Sequence, residues 1–166
     1  AIFYAWDLLT NEYKVDKKKL LITVFSEDST SKDIWKKITG FNSDKIITVK
    51  SKDNFWSMGD TGPCGPCTEI FYDYGDTFKG SVSNKGIDGD RYVEIWNLVF
   101  MEFNQIDQKK RINLPNKSVD TGMGLERITA LLQNTNDNYQ TDIFGEIINL
   151  IAKLSKSENK NTDNIS

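Results

Sequence analysis

The sequence predicts an α+β fold, a mostly antiparallel sheet flanked by helices. Three strand candidates, residues 68–74, 92–103 and 117–120, are joined by loops too poor in helical pattern to supply the crossovers that parallel strands need. Apolar residues recur with a helical period near the N-terminus, at 31–39 and at 143–154. At 166 residues with 38% hydrophobic content, the chain is the size of one domain and long enough to bury a core.

Residues 1–13 place Ile2, Ala5, Trp6, Leu9 and Tyr13 among polar residues at helical spacing, which predicts a helix. It opens without a capping residue, which suggests a chain cut inside a larger domain. The β-rich run 20–25, a helix over about 31–39 stopped by Gly40, and a strand at 45–49 complete an αβαβ unit. Cys64-Gly65-Pro66-Cys67 reads as a tight turn before the strand 68–74, in which Glu69, Phe71 and Asp73 alternate with Thr68, Ile70, Tyr72 and Tyr74.

Residues 75–90, rich in glycine, read as a surface loop. In 92–103, Val93, Ile95, Asn97, Val99, Met101 and Phe103 share a face on simple alternation. Asn97 is the polar residue among them, and a buried amide left unpaired costs roughly 1–3 kcal/mol, so it is either paired with backbone or aimed at a ligand. After the helix that follows Leu125, with a stripe of Leu125, Ile128 and Leu132, a loop at Asp137 leads to the helix 143–154. Residues 155–166 read as a disordered polar tail.

Composition excludes several functions. There is no histidine, which removes Ser-His-Asp and Cys-His catalysis and His-ligated metals within these residues. A net charge of −3 argues against a nucleic-acid-coating surface, and the basic runs at 17–19 and 109–111 read as solvated turns. No run approaches the ~20 apolar residues of a membrane span and no signal peptide is evident, so a cytoplasmic location without membrane association is expected.

Chemistry concentrates at Ser118–Arg127. A strand ending in Asp120, a turn carrying Gly122 and Gly124, and a helix starting near Leu125 would offer free N–H groups and a positive dipole end to an anion. Arg127 adds a planar donor fork suited to phosphate, and Asp120 a carboxylate for a cation. An ordinary strand-turn-helix with a capping Asp is the bland alternative. Cys64 and Cys67 are spaced like a thioredoxin pair, so a thiol–disulfide oxidoreductase is a second reading. A zinc site would need two more ligands.

Asp120-Thr121-Gly122-Met123-Gly124-Leu125-Glu126-Arg127 resembles the third motif of the class II aminoacyl-tRNA synthetases, in the form carried by alanyl-tRNA synthetases. Asp53-Asn54-Phe55-Trp56 through Glu69, and Arg91 through Met101, are similar to the same family, in the same order. The resemblance covers residues 1 to about 154. It implies ATP-dependent activation of L-alanine to alanyl-adenylate and transfer to the 3′ end of tRNA(Ala).

Residue by residue, the resemblance implies that Asp120 holds the alanine ammonium, Asn97 reaches the polar end, and Trp56 and Val99 wall the methyl pocket. It also implies that Gly122 and Gly124 give backbone room for alanine and adenine, and that Arg127 binds the γ end of ATP. Mg²⁺ accompanies ATP on one or two carboxylates, for which Glu94, Glu69 and Asp73 are the candidates. The family's first two motifs have no counterpart here, so the chain is expected to be the second half of a catalytic domain and to bind substrates weakly alone. Editing and tRNA recognition are expected in other parts. A non-catalytic paralogue that only binds an amino acid or nucleotide is the third reading.

Overall fold

A computed structural model describes residues 1–155, which fall into two compact units, one from Ala1 to Met123 and one from Gly124 onward. The first contains α1 (Ile2–Asp7, continued as a π-helical turn Leu8–Glu12), β1 (Leu20–Phe25), α2 (Ser29–Thr39), β2 (Ile46–Val49), β3 (Phe55–Ser57), β4 (Gly62–Asp73), β5 (Gly80–Ser83), β6 (Gly86–Gly89), β7 (Tyr92–Gln105) and β8 (Arg111–Met123). The sheet runs β2-β1-β4-β7-β8, with β3 added on β4, and every pair is antiparallel except β1 with β2. The one parallel pair is the one joined by a crossover helix, α2.

α2 is built by its ends. Asp28 accepts from the Ser31 N–H at 2.9 Å, and Gly40 closes the helix in the left-handed conformation at φ 70°. Its Trp35 is fully buried and donates from Nε1 to Thr68 Oγ1 at 2.8 Å, while Trp6 packs edge-on against it with centroids 6.0 Å apart. Leu20, Ile22, Val24, Ile70 and Leu98 are buried with it. One face of the sheet is thereby committed to core.

The sequence reading changes in three places. Cys64–Cys67 is extended strand at the start of β4 rather than a turn, because Gly65 lies hard against β7: a Cβ built there would come within 1.9 Å of the Phe100 carbonyl oxygen. The 75–90 loop carries a short hairpin, β5 paired with β6. β8 reaches back to Arg111, and its pairing with β7 is irregular between Asn113 and Ser118, around Pro115, which has no N–H to give a ladder.

Alternation also fails in β7. Ile70 pairs with Trp96 but Phe71 pairs with Glu94, so Ile95 is an inserted residue. The bulge puts Glu94 on the face of Glu69 and Asn97 and sends Val93, opposite Tyr72, to the other face. A single face for 93–103 does not exist.

The second unit contains α3 (Leu125–Leu132) and α4 (Asp142–Ser155). Gln133 and Asp142 bond reciprocally, Gln133 Nε2 to Asp142 Oδ1 at 2.6 Å and the Asp142 N–H to Gln133 Oε1 at 3.2 Å, fixing the corner between the helices. On α3 the buried residues are Ile128, Ala130 and Leu131, while Leu125 and Leu132 are exposed, so the apolar stripe is rotated from the one expected. The predicted tail lies outside the described residues apart from Ser155, which ends α4. No helix among the described residues is long and apolar enough to cross a membrane.

Gly65→Ala tests the close approach of β4 to β7. The clash is with backbone, so the variant should lose about 1–3 kcal/mol, read as a lower urea midpoint. A midpoint equal to wild type would contradict the register.

Candidate functional site

The face of the sheet turned away from Trp35 carries most of the predicted residues. Cross-strand pairing lines up Thr23, Glu69, Asn97 and Gly122 in one row through β1, β4, β7 and β8. The next row is Cys67, Val99 and Asp120. Paired residues share a face and sit about 4.5–5.5 Å apart at Cβ, so residues distant in sequence become one surface. Trp56 joins from β3, opposite Gly65, two residues before Cys67.

The floor is buried and polar. Thr23 Oγ1 donates to Glu69 Oε2 at 2.8 Å and accepts from Asn54 Nδ2 at 2.8 Å; the same Nδ2 reaches the Cys67 carbonyl at 3.3 Å. Glu69 is only 8% exposed, and burial pushes its carboxyl up to about 7, with the charges of Glu94 and Asp53 adding to the rise against the Thr23 hydrogen bond. Burial likewise pushes the Cys67 thiol up to about 12. Both cysteines are free and buried, and a thiol this reluctant to ionise is a poor nucleophile, so nothing here favours the disulfide-exchange reading.

Above the floor the site is open. Asp120 is exposed, with Oδ1 accepting from the Thr121 N–H at 2.8 Å, and a Cβ built on Gly122 would meet nothing within 4 Å. The Asn97 Oδ1 atom is buried and has no hydrogen-bond partner. A buried acceptor without a donor, beside an exposed carboxylate and vacant space over a glycine, fits a ligand that brings an N–H donor with positive charge. Val99, 6% exposed, supplies apolar wall.

The strand runs through Gly122 to Met123 with no turn, and neither Gly122 nor Gly124 has positive φ. Gly124 instead caps α3 in extended conformation, and the absent side chain leaves room for the Arg127 stem, whose Cδ lies 3.2 Å from where a Cβ would be. Arg127 is exposed in the first turn of α3. These two residues belong to the second unit and the others to the first.

The three magnesium candidates do not converge, and no cluster of three metal-ligating side chains occurs among the described residues. Asp73 is engaged by Arg91 through both oxygens, at 2.7 and 2.8 Å, which holds its carboxyl below the usual range. Glu69 and Glu94 share the site face.

Sequence reasoning passed over Thr23, Asn54 and Thr121. Thr23 was legible as the one hydroxyl in an apolar run. Thr121 points to the other face, accepting from Trp96 Nε1 and donating to the Asn97 carbonyl at 3.1 Å, and so clamps β8 to β7. A separate open pocket of about 850 Å³ is lined by Phe25, Phe55, Phe103 and Arg111 but by none of the predicted site residues apart from the neighbouring Cys64 and Pro66 of the motif. Its charges of the two signs balance, and Arg111 is already stacked on Phe55 and Phe103 at 4.6 and 5.6 Å, so the sheet face is the better site.

The face gathers a carboxylate and a glycine from β8 and an unpaired amide from β7, in stretches that resemble the motifs of class II aminoacyl-tRNA synthetases. The family model for class II tRNA synthetases (A) matches residues 1–166, and the chain belongs to that family. Among curated proteins it is 57% identical over 157 residues to the alanine–tRNA ligase of Rickettsia felis, 56% to that of Rickettsia akari and 55% to that of Rickettsia typhi. In each case 94% of this chain is covered and 18% of the relative, so the chain spans about a fifth of their length.

Glu69 gives the site a pH signature. Its folded-state proton is held to about 7 against 4.5 in the unfolded chain, so its contribution to stability is full below about 4.5 and is lost as pH rises to about 7. Glu69→Gln, neutral at all pH, should melt higher than wild type at pH 8, with the gap closing toward pH 5. A pH-independent gap in thermal melts would show that Glu69 titrates normally.

Proposed function

We propose that this chain supplies the amino-acid-binding sheet of an alanine–tRNA ligase catalytic domain, acting with L-alanine, ATP, Mg²⁺ and tRNA(Ala) in the cytoplasm. The observation that carries the reading is the alignment of Asp120, Val99 and Cys67 beside Gly122, Asn97 and Glu69 on one open face.

On this reading Asp120 holds the alanine ammonium by a charge-assisted bond, and Asn97 presents its unpaired oxygen to the same group or to its neighbour. Trp56 and Val99 wall the methyl group, and Gly122 leaves the space that the Cα occupies. Such a wall excludes larger side chains by volume but separates alanine from glycine or serine by only ~1–3 kcal/mol, so editing must be supplied by other parts of the enzyme. With the ammonium pinned, the alanine carboxylate oxygen attacks the α-phosphorus of ATP and the bond to pyrophosphate breaks. Gly124 and Arg127 meet the nucleotide, Arg127 at the γ-phosphate. Of the carboxylates considered for Mg²⁺, Glu94 is the one left to it, since Glu69 is bonded to Thr23 in the buried floor and Asp73 is committed to Arg91.

β8 forms one edge of the sheet over 13 residues and is largely exposed. That open edge supports the view that further chain completes the nucleotide site, and that these residues alone bind weakly. Amino-acid-dependent ATP–pyrophosphate exchange tests the reading: a protein extended upstream should exchange with alanine, and residues 1–166 alone should not. Asp120→Asn in the extended protein should lower kcat/KM for alanine by about 10–100-fold, the worth of one charge-assisted bond. Exchange with another amino acid, or an unaffected Asp120→Asn variant, would overturn the assignment.

A further inference from the structure

Asp120 and Gly122, the two alanine-pocket residues on β8, flank a residue that faces away from the pocket. Thr121 lies opposite Leu98 in the β7–β8 ladder, between the Val99–Asp120 and Asn97–Gly122 pairs. Its hydroxyl makes two bonds at once, accepting from the Trp96 indole Nε1 and donating to the Asn97 carbonyl at 3.1 Å. Those partners are 25 and 24 residues away in sequence, so the hydroxyl ties β8 to the stretch of β7 that carries the pocket amide.

The position of β8 makes this tie consequential. β8 is an edge strand, with β7 its only neighbour among the described strands. The ladder is interrupted between Asn113 and Ser118, so residues 118–123 hold their register without support from the stretch before them. Because side chains alternate, a slip of one residue would carry Asp120 to the far face and bring Thr121 into the pocket. Backbone bonds can re-form after such a slip. A hydroxyl matched to one indole N–H and one particular carbonyl cannot.

We propose that Thr121 is a positioning residue for the alanine pocket: from the back of the sheet its hydroxyl fixes the register of β8 on β7, and with it the placing of the Asp120 carboxylate against the Asn97 amide. The proposal rests on the alanine-ligase reading. The same residue's N–H donates to Asp120 Oδ1 at 2.8 Å, which turns the carboxylate at the point where the register has set it. Threonine suits the place because one hydroxyl both donates and accepts, and its branched Cβ restricts χ1. Valine has the same shape without either bond, so that substitution isolates the hydroxyl.

The test is ATP–pyrophosphate exchange by variants of the upstream-extended enzyme. Thr121→Val should raise KM for alanine about fivefold while KM for ATP stays within about twofold, since Gly124 and Arg127 lie beyond the end of β8. Thr121→Ser, which keeps the hydroxyl, should stay within about twofold of wild type. In an Asp120→Asn background Thr121→Val should add no more than about twofold, because its effect passes through that carboxylate. Should Thr121→Val fail to fold, Trp96→Phe removes one of the two bonds and should raise KM for alanine in the same direction by a smaller factor. An unchanged KM for alanine, an equal rise in KM for ATP, a Thr121→Ser variant as impaired as Thr121→Val, or additive losses with Asp120→Asn would overturn the proposal and leave the alanine reading intact. A parent enzyme that does not exchange with alanine would overturn both.

Discussion

The pairing of β4 with β7 is the constraint on which the rest depends. Side chains alternate along a strand, so one residue of slip would carry a whole set from one face to the other. Here the register sets Glu69 against Asn97 and Cys67 against Val99, and the bulge at Ile95 brings Glu94 round to join them. Gly65 permits the pair to close at one end, and Thr121 clamps β8 onto it at the other. A carboxylate from one motif stretch meets an amide and an apolar wall from another because two long strands agree on their register.

The two faces of that sheet are put to different uses. Against the helices the chain buries Leu20, Ile22, Val24, Ile70 and Leu98 under Trp35, an apolar arrangement that tolerates little change. On the other face the floor is polar and linked by hydrogen bonds from Asn54 Nδ2 through Thr23 to Glu69. Burying a carboxylate there is unfavourable, and its raised proton affinity records that cost. A floor of this kind holds the side chains above it in fixed orientation, as a site for a small ligand requires.

Much of this was legible in the sequence, and what was not has identifiable causes. The strands at 92–103 and 68–74 announced themselves by alternation, α2 by its cap and Gly40, and α3 by the glycine before Leu125. The motif stretches pointed to Trp56, Asn97, Val99, Asp120 and Gly122, and the register sets them together. Bulges were invisible, because an inserted residue leaves no compositional mark; this is why Val93 and Glu94 were assigned to the wrong faces. Cys64–Cys67 looked like a turn because glycine and proline serve turns more often than they serve two strands in close contact. The ion pair of Asp73 with Arg91 joins residues 18 apart, beyond what local pattern can show.

The central claim is that alanine binds on the open face formed by β4, β7 and β8. Two-dimensional ¹⁵N–¹H NMR of the protein titrated with L-alanine, and then with a non-hydrolysable alanyl-adenylate analogue, examines it directly. The account predicts saturating shifts at the amides of Trp56, Cys67, Asn97, Val99 and Gly122, larger with the analogue. Shifts confined to Lys50, Gln105 and Arg111 around the separate pocket, or to the helix-covered face near Trp35, would contradict it.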